Sequence, residues 1–325
     1  MLMTRRSRFR EIARDPKAWV TSSRFENGLS RWINRVKNFI IGLCMAVIVL
    51  GVCYIILAPV FGIISRAVMS PLDLADPLVF LIPRTFTLDH INHALTYMNY
   101  WSTLALTLGF SLGFAFLHVV ICSMVGYGFA RFKFPGSGAL FALVILTIVV
   151  PVHTYMIPMF MNFRFFLGTE VNLLNTYWAL GLLTLTGVGL RSGLYIYIFR
   201  QFFRGLPKEI EEAAFIDGAG PLYTYMRVMM PNAVPAIVTV LLFAFVWHYN
   251  DTFYTALLMP NIQFIPAMLL TVGQSFSVGE NVNNPLIVQM VVFAAVMLAI
   301  LPILTIYLFL QRFFIEGLER SGIVG

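Results

Sequence analysis

The chain has 325 residues, of which 59% are hydrophobic and 11% are charged, and its net charge is +7. Its apolar residues occur in runs that are too long for the core of a soluble protein, so the composition excludes a soluble globular protein and indicates an integral membrane protein. A run in lipid must satisfy its own backbone hydrogen bonds, and the alternating pattern of a barrel strand is missing. We therefore expect an all-α fold.

The N-terminal segment, residues 1–37, contains ten basic and three acidic side chains, which accounts for the whole charge surplus. A set of its apolar side chains falls on one helical face: Phe25, Leu29, Trp32, Ile33 and Val36. This pattern predicts a basic cytoplasmic segment with an interfacial helix that contacts anionic lipids, whereas nucleic acid is a weaker interpretation. No cleavage site follows a short apolar region, so the first membrane span is expected to be retained.

Residues 38–325 are predicted to form a transmembrane domain. Six apolar runs have about the length that crosses a bilayer: 38–64, 101–123, 138–161, 177–199, 234–257 and 286–310. If these six are helices, one side of the membrane receives 18 of the 22 basic residues. The excess of positive charge on that side predicts that both termini are cytoplasmic.

The third and fourth runs contain unusual residues. Pro151 and Pro158 are predicted to bend the third run. Arg191 lies about eight residues inside the fourth run, among several glycines that indicate either a close backbone approach or a locally loosened helix. A charge at this depth requires a water-filled cavity or a carboxylate partner, so Arg191 is either on a substrate path or in a structural pair.

Several chemical motifs have simpler explanations. The segment Gly109-Phe-Ser-Leu-Gly113 matches the pattern of a serine hydrolase turn, but it lies inside an apolar run, where two glycines four residues apart favour close helix packing. His90 and His93 could contact one metal ion, but without a third ligand nearby we expect a surface pair. The chain contains no phosphate-binding Gly-rich loop and no metal cluster, so we expect no cofactor in it.

The loop between the fourth and fifth runs, residues 204–232, is predicted to form two short helices. Pro207 precedes an acidic first turn that contains Glu209, Glu211 and Glu212, all near the positive end of the helix dipole. Ala213 and Ala214 lie on its apolar stripe, Asp217 and Gly218 end it, Gly220-Pro221 begins the second helix, and Pro231 begins the next span. The pattern favours a docking element for a cytosolic protein over an inert surface loop.

The same loop resembles the "EAA" signature of binding-protein-dependent ABC importer permeases. The matching residues are Glu212-Ala213-Ala214, three residues, Gly218, nine residues, and then Val228-Met-Met-Pro231. The likeness extends from about residue 95 to the end of the chain, and it is greatest to the second permease subunit of maltose-type importers. Segments that carry it include Tyr127-Gly-Phe-Ala-Arg131 and Gln311-Arg-Phe-Phe-Ile-Glu-Gly317.

This resemblance implies a type I ABC importer permease that carries a sugar or oligosaccharide across the cell membrane of a prokaryote. The implied partners are a second, different permease subunit, two cytosolic ATPase subunits that bind ATP and Mg²⁺, and an extracytoplasmic solute-binding protein. Within loop 204–232, the residues expected to couple the permease to the ATPases are Glu209, Glu212, Ala213, Ala214, Asp217, Gly218 and Pro231. The C-terminal tail, residues 311–325, is expected to reach towards the ATPases.

A substrate path is expected at Arg191 together with Tyr249, Asn250 and Asp251, which stand where the family has a Trp-Asn-acid segment. Two alternatives belong to other classes of protein. A secondary transporter would require carboxylates deep in the spans, but only Asp251, near the outer end of the fifth run, comes close. A membrane-embedded hydrolase would use Ser111 or His118. We therefore expect a transport subunit and not an enzyme.

Overall fold

The computed structural model describes the backbone of residues 16–79 and 81–322, and the side chains of Trp32, 34–79, 81–309 and Gln311. The described residues form helices and no strand beyond one isolated bridge, Met69 with Phe86. In chain order the helices are α1 (Pro16–Ala67), α2 (Pro71–Ala75), α3 (Asp89–Tyr97), α4 (Tyr100–Arg131), α5 (Ser137–Val149), α6 (Met156–Arg164), α7 (Tyr177–Leu185), α8 (Ser192–Gly205), α9 (Glu209–Ile216), α10 (Pro221–Thr224), α11 (Met230–Asn232), α12 (Val234–Tyr249), α13 (Phe253–Leu258), α14 (Ile265–Gly279) and α15 (Pro285–Gly322).

The chain divides into two units, residues 1–62 and residues 63–325. In the first unit, every described side chain from Trp32 to Leu57 is exposed, although most of them are apolar. This part of α1 therefore has the surface of a helix that lies in lipid or against another protein. The side chains of Phe25, Leu29 and Ile33, on which the expected interfacial helix depends, lie outside the described residues.

Among the described residues, three helices are long and apolar enough to cross a membrane by themselves: Asn34–Ala67, Tyr100–Arg131 and Pro285–Phe309. Two bent helix pairs raise that number to five if each pair counts as one span. Helix α14, at Ile265–Gly279, is a shorter apolar helix that was not among the six predicted runs. The first, second and sixth predicted runs are therefore single helices, and the other three are not.

The third, fourth and fifth runs are each interrupted. The third run bends by 99° near Pro151, as predicted, whereas Pro158 lies inside α6. The fourth run, predicted as one helix over 177–199, ends at Leu185 and begins again at Ser192. The fifth run, predicted over 234–257, ends at Tyr249 and continues as α13 from Phe253. Of these three interruptions, the sequence predicted the bend at Pro151 and a loosened helix around Arg191, but it did not predict the break at residues 250–252.

The core of the second unit surrounds α4, which packs against α8 and α12. Small residues permit the close approach. A Cβ atom added at Gly126 of α4 would lie 2.6 Å from the Cβ of Phe199 on α8 and 3.0 Å from the backbone nitrogen of Arg200. Ala115 on α4 and Ala244 on α12 are fully buried in the same core. The α4–α8 contact is therefore fixed by backbone packing and leaves little room for sliding.

The segment between α1 and α3 forms a compact loop around Asp73. The Asp73 carboxylate accepts hydrogen bonds from the backbone N–H groups of Arg84 and Thr85, at 2.9 and 2.7 Å, and from the Thr85 hydroxyl. Arg84 also forms an exposed ion pair with Asp76 at 2.9 Å. These hydrogen bonds lower the pKa of Asp73 below its ordinary value, the backbone N–H of Thr85 being the largest cause. One carboxylate thus joins the two arms of the loop.

Candidate functional site

The loop of residues 204–232, which we call the elbow, consists of two short helical segments joined by a sharp turn. Helix α9 begins at Glu209, two residues later than Pro207, and ends before Gly218, whose φ of +83° requires the left-handed conformation that glycine tolerates. The second segment begins at Pro221, as predicted.

Pro231 was expected to begin the fifth span, and this was wrong. A π turn at Tyr225–Met229 links α10 to α11, so Pro231 lies near the end of one helical stretch, Pro221–Asn232. Helix α12 starts only at Val234, after a bend of 81°. The second segment of the elbow is therefore longer than predicted, and it meets the following helix at a steep angle.

Glu211 connects the elbow to the end of α4. One of its carboxylate oxygens accepts a hydrogen bond from the Tyr127 hydroxyl at 2.5 Å, and the other lies 3.2 Å from Nε of Arg131. Arg131 also donates a hydrogen bond to the carbonyl oxygen of Leu206 at 2.9 Å. The Arg131 and Glu211 side chains are only 6% and 10% exposed, so the ion pair is largely shielded from water.

A second connection joins the other half of the elbow to the same helix. The hydroxyls of Tyr225 and Ser123 lie 2.7 Å apart, and the rings of Tyr225 and Tyr127 are in contact with centroids 5.2 Å apart. Both segments of the elbow thus contact the C-terminal part of α4, from Ser123 to Arg131. A displacement of the elbow would act on α4 directly, through buried polar contacts.

Sequence reasoning did not separate Glu211 from Glu209 and Glu212, with which it shares the acidic first turn of α9. Glu211 and Ala214 are buried three positions apart, whereas Glu209, Glu212 and Ala213 are exposed. Helical spacing could have distinguished the buried Glu211 from the exposed glutamates, because Glu211 and Ala214 stand at i and i+3 and so share one face of the helix. Recognising the buried partner, Arg131, required the fold.

The outer surface of the elbow is apolar. Five of its large hydrophobic side chains are exposed: Phe215, Ile216, Leu222, Tyr223 and Met226. Ile216 is 86% exposed, and the predicted coupling residues Glu209, Glu212, Asp217, Gly218 and Pro231 are also exposed on the elbow. An exposed apolar surface with charged residues at its edge has the composition of a protein-binding surface.

A cavity of about 1140 Å³ lies between α5, the segment after it, α8 and the end of α12. Arg191 lines it from the turn that interrupts the fourth run. Its guanidinium carbon lies 4.3 Å from the centre of the Trp247 ring, which makes a cation–π contact. The expected loosening of the helix around Arg191 is present, because the helix ends at Leu185 and begins again at Ser192.

Of the other residues expected on a substrate path, Asn250 and Asp251 line this cavity and Tyr249 does not. Tyr249 is buried, and its hydroxyl donates a hydrogen bond to the carbonyl oxygen of Ala299 at 2.9 Å. Since helix residues one position apart point in different directions, Tyr249 faces α15 while Asn250 faces the cavity. Tyr249 therefore belongs to the packing between helices.

The two other candidate chemistries lack a suitable setting. Ser111 is buried inside α4 without the strand and turn that a hydrolase motif requires. His118, seven residues along the same helix, is also buried, and its Nδ1 lies 2.9 Å from the Phe114 carbonyl oxygen and 3.4 Å from His248 Nε2.

Gly109 and Gly113 face outward, and no other helix of the described chain approaches them closely.

The expected surface pair of histidines is half correct, because His90 is buried whereas His93 is partly exposed and contacts the Phe276 ring. Over the described residues, no group of three or more His, Cys, Asp or Glu side chains could hold a metal ion.

Residues 119–320, which include the elbow, Arg191 and the cavity-lining end of α12, match the family described as "Binding-protein-dependent transport system inner membrane component". The chain belongs to this family. It is thus a membrane-embedded transport subunit of the cell membrane, as the sequence predicted, and the family implies ATPase and solute-binding partners.

Similar proteins agree with this assignment. The chain is 27% identical to the arabinooligosaccharides transport system permease protein of Halalkalibacterium halodurans, covering 84% of this chain and 93% of that protein. It is 26% identical to the maltodextrin transport system permease protein of Bacillus subtilis, covering 91% and 98%. It is also 26% identical to the polygalacturonan/rhamnogalacturonan transport system permease protein of Bacillus subtilis, covering 89% and 100%. These relatives are named permeases and not enzymes.

A solved structure has the same fold. It is a crystal structure of a bacterial ABC transporter involved in the import of the acidic polysaccharide alginate, with a TM-score of 0.69 and 24% sequence identity. The match covers 85% of this chain and 96% of that chain. The expected type I ABC permease fold is therefore confirmed, whereas six membrane crossings and cytoplasmic termini stay predictions.

Proposed function

We propose that this chain is the permease subunit of an ATP-driven importer of a sugar or oligosaccharide. The observation that carries the proposal is the elbow, which has an exposed apolar surface and a buried connection through Glu211 to α4. The names of the relatives support a saccharide as the substrate, since they include arabinooligosaccharides, maltodextrin and polygalacturonan. Those names include neutral and acidic sugars, so they leave the charge of the substrate open.

In the proposed assembly, this chain pairs with a second, different permease subunit, and two cytosolic ATPase subunits bind ATP and Mg²⁺. The exposed residues of the elbow, among them Glu212 and Gly218, dock on one ATPase. Closure of the ATPases then moves the elbow, and the Glu211–Arg131 contact passes that movement to α4, which reverses access to the substrate path. A solute-binding protein delivers the sugar on the opposite face.

The topology in this proposal has six crossings with both termini in the cytoplasm, supported by the distribution of basic residues. The interrupted fourth run, Tyr177–Leu185 with Ser192–Gly205, serves as one crossing. The basic segment, residues 1–37, contacts anionic lipids on the cytoplasmic leaflet. The tail, residues 311–325, extends towards the ATPases on the same side.

The substrate path in this proposal is the cavity lined by Arg191, Asn250 and Asp251. Trp247 and Tyr254 also line it, and aromatic rings can stack on the apolar faces of sugar rings while the polar side chains bind hydroxyls. Its volume of about 1140 Å³ exceeds the ~300–1,000 Å³ of common small-molecule pockets, so more than one sugar ring fits.

Co-expression with the neighbouring reading frames tests this function. We expect an affinity-tagged chain to purify in detergent with an ATPase and a second permease, and the reconstituted complex to accumulate labelled oligosaccharide only when ATP is supplied. Glu212→Ala combined with Gly218→Pro should abolish this uptake. Failure to recover an ATPase, or full uptake by the double variant, would refute the proposal.

A further inference from the structure

The proposed cavity has an uneven distribution of charge. Among the described residues that line it, the Asp, Glu, Lys and Arg side chains are those of Arg191 and Asp251. The Asp251 oxygens accept hydrogen bonds from the backbone N–H groups of Tyr254, at 3.2 Å, and Thr255, at 2.8 Å. The Asp251 carboxyl group is thus engaged by the first amides of α13, and it caps that helix at the break between α12 and α13.

Arg191 has no such partner. Within the described residues, no carboxylate oxygen lies within 4.0 Å of its guanidinium, and its close contact is the face of Trp247 at 4.3 Å. A ring face offers no oxygen acceptor to the five N–H donors of a guanidinium. Isolated charges within membrane-spanning regions are costly and almost always find a partner, so the partner of Arg191 is expected to come from outside this chain.

The backbone holds Arg191 in place. Its φ of +61° lies in the left-handed region, which is strained for a residue with a Cβ atom. Two glycines beside it are tightly packed: an added Cβ at Gly189 would lie 2.8 Å from the Thr184 hydroxyl oxygen, and one at Gly193 would collide with the Thr147 hydroxyl. The turn is thus fixed on both sides, and the guanidinium is presented to the cavity by a strained but constrained backbone.

From this arrangement we infer that the transported saccharide carries carboxylate groups, as in a uronic acid, and that Arg191 binds one of them. This inference rests on the proposed function and specifies its substrate class. A guanidinium matches a carboxylate with two parallel hydrogen bonds, and that geometry selects a uronate over the corresponding neutral sugar. Trp247 orients the guanidinium, and the remaining lining supplies aromatic faces and hydrogen-bonding groups for the sugar rings.

The experiment compares two substrates that differ only in their carboxylates. The complete transporter, in proteoliposomes with its solute-binding protein, is supplied with labelled galacturonic acid trimer or with the galactose trimer of the same linkage. We expect ATP-dependent accumulation of the acidic trimer in preference to the neutral one. Arg191→Asn removes the charge but retains a residue that tolerates the left-handed region, so it should lower uptake of the acidic trimer at least about tenfold. Arg191→Lys, which keeps the charge but loses the planar fork, should lower the preference for the acidic trimer less than Arg191→Asn does.

The outcomes separate this inference from the function on which it rests. Uptake of the neutral trimer in preference to the acidic one would overturn the inference and leave the sugar importer intact. A preference for the acidic trimer that survives in Arg191→Asn would also overturn it, because the selectivity would then lie elsewhere. If an assembled complex with active ATPase takes up neither trimer, both the inference and the saccharide substrate are contradicted. Gel filtration of each variant complex shows whether it is assembled.

Discussion

Glu211 on the elbow lies 3.2 Å from Nε of Arg131, the last residue of α4, and the two side chains are almost completely shielded from water. This contact joins a short surface helix to a helix of 32 residues that is long enough to cross the membrane. In the proposed importer it is the route by which a movement of the ATPases reaches the spans.

Glu211→Gln should destabilise the protein strongly, because it leaves the buried Arg131 charge without its counter-ion, at a cost of about 3 kcal/mol or more. Glu212→Gln is the matched control, since the neighbouring glutamate is exposed and its loss should change the free energy of unfolding by less than about 0.5 kcal/mol. Thermal unfolding of the purified complex measures both. Equal melting temperatures for the two variants would show that the ion pair does not anchor the elbow.

Gly126→Ala should weaken the contact between α4 and α8. The new methyl group would lie 2.6 Å from the Cβ of Phe199, and overpacking of this kind costs about 1–3 kcal/mol. Gly128→Ala is the control on the same helix, because a Cβ at Gly128 meets nothing within 4 Å and alanine favours the helix. A lower melting temperature for the first variant only would confirm the close approach, whereas an unchanged one would contradict it.

Gly218→Ala should strain the turn of the elbow, since a φ of +83° costs a residue with a Cβ atom roughly 1–2 kcal/mol. Gly220→Ala, two residues later, serves as the control because Gly220 has a φ of −74° and open space around it. Limited proteolysis of the two variants measures how often the elbow opens. The account requires faster cleavage in Gly218→Ala, and equal rates would argue against a strained turn.

Asp73 gives a pH-dependent prediction for the loop between α1 and α3. Its pKa is lowered in the folded protein, so its hydrogen bonds stabilise the loop fully above the ordinary pKa of about 3.9, and this stabilisation is lost as the pH falls through the lower folded value. We expect hydrogen exchange at the Arg84 and Thr85 amides, corrected for intrinsic rates, to stay slow from pH 7 to about 4 and to accelerate below. In Asp73→Asn these two amides should exchange fast at every pH. In the control Asp76→Asn their exchange should depend on pH as in the unsubstituted protein. If the two variants have the same pH profile of exchange, Asp73 is not the carboxylate that holds the loop.

The sequence predicted the membrane class, the all-α fold and the elbow, because long apolar runs, Gly218 and the two prolines at 207 and 221 are strong local signals. It indicated a loosened helix around Arg191 without giving the bounds of the break at residues 186–191, and it did not predict the break at residues 250–252. At the first break Gly189 packs against Thr184 and against His118 of α4, a contact between helices that needs the fold. At the second break Asp251 caps α13 through the local N–H groups of Tyr254 and Thr255.

The candidate sites divide in the same way. Arg191 could be singled out because a charged residue inside an apolar run is conspicuous, whereas Asn250 and Asp251 were expected from the resemblance to the family's Trp-Asn-acid segment. Tyr249 was grouped with them by its neighbours in sequence, although a one-residue step on a helix points it towards Ala299. Glu211 was missed because its partner lies 80 positions earlier in the chain, a pairing that no local pattern reveals.

The most direct test of the account is whether the elbow is covered by an ATPase in the working transporter. The three native cysteines, Cys44, Cys53 and Cys122, are first replaced by alanine. Ile216, which is exposed, is then replaced by cysteine and labelled with a water-soluble maleimide, both in the chain alone and in the complete complex. A cysteine at Leu72, in the loop between α1 and α3, is the control that should be labelled in both. The account predicts that position 216 is protected in the complex, and equal labelling of that position in a complex that still transports sugar would contradict it.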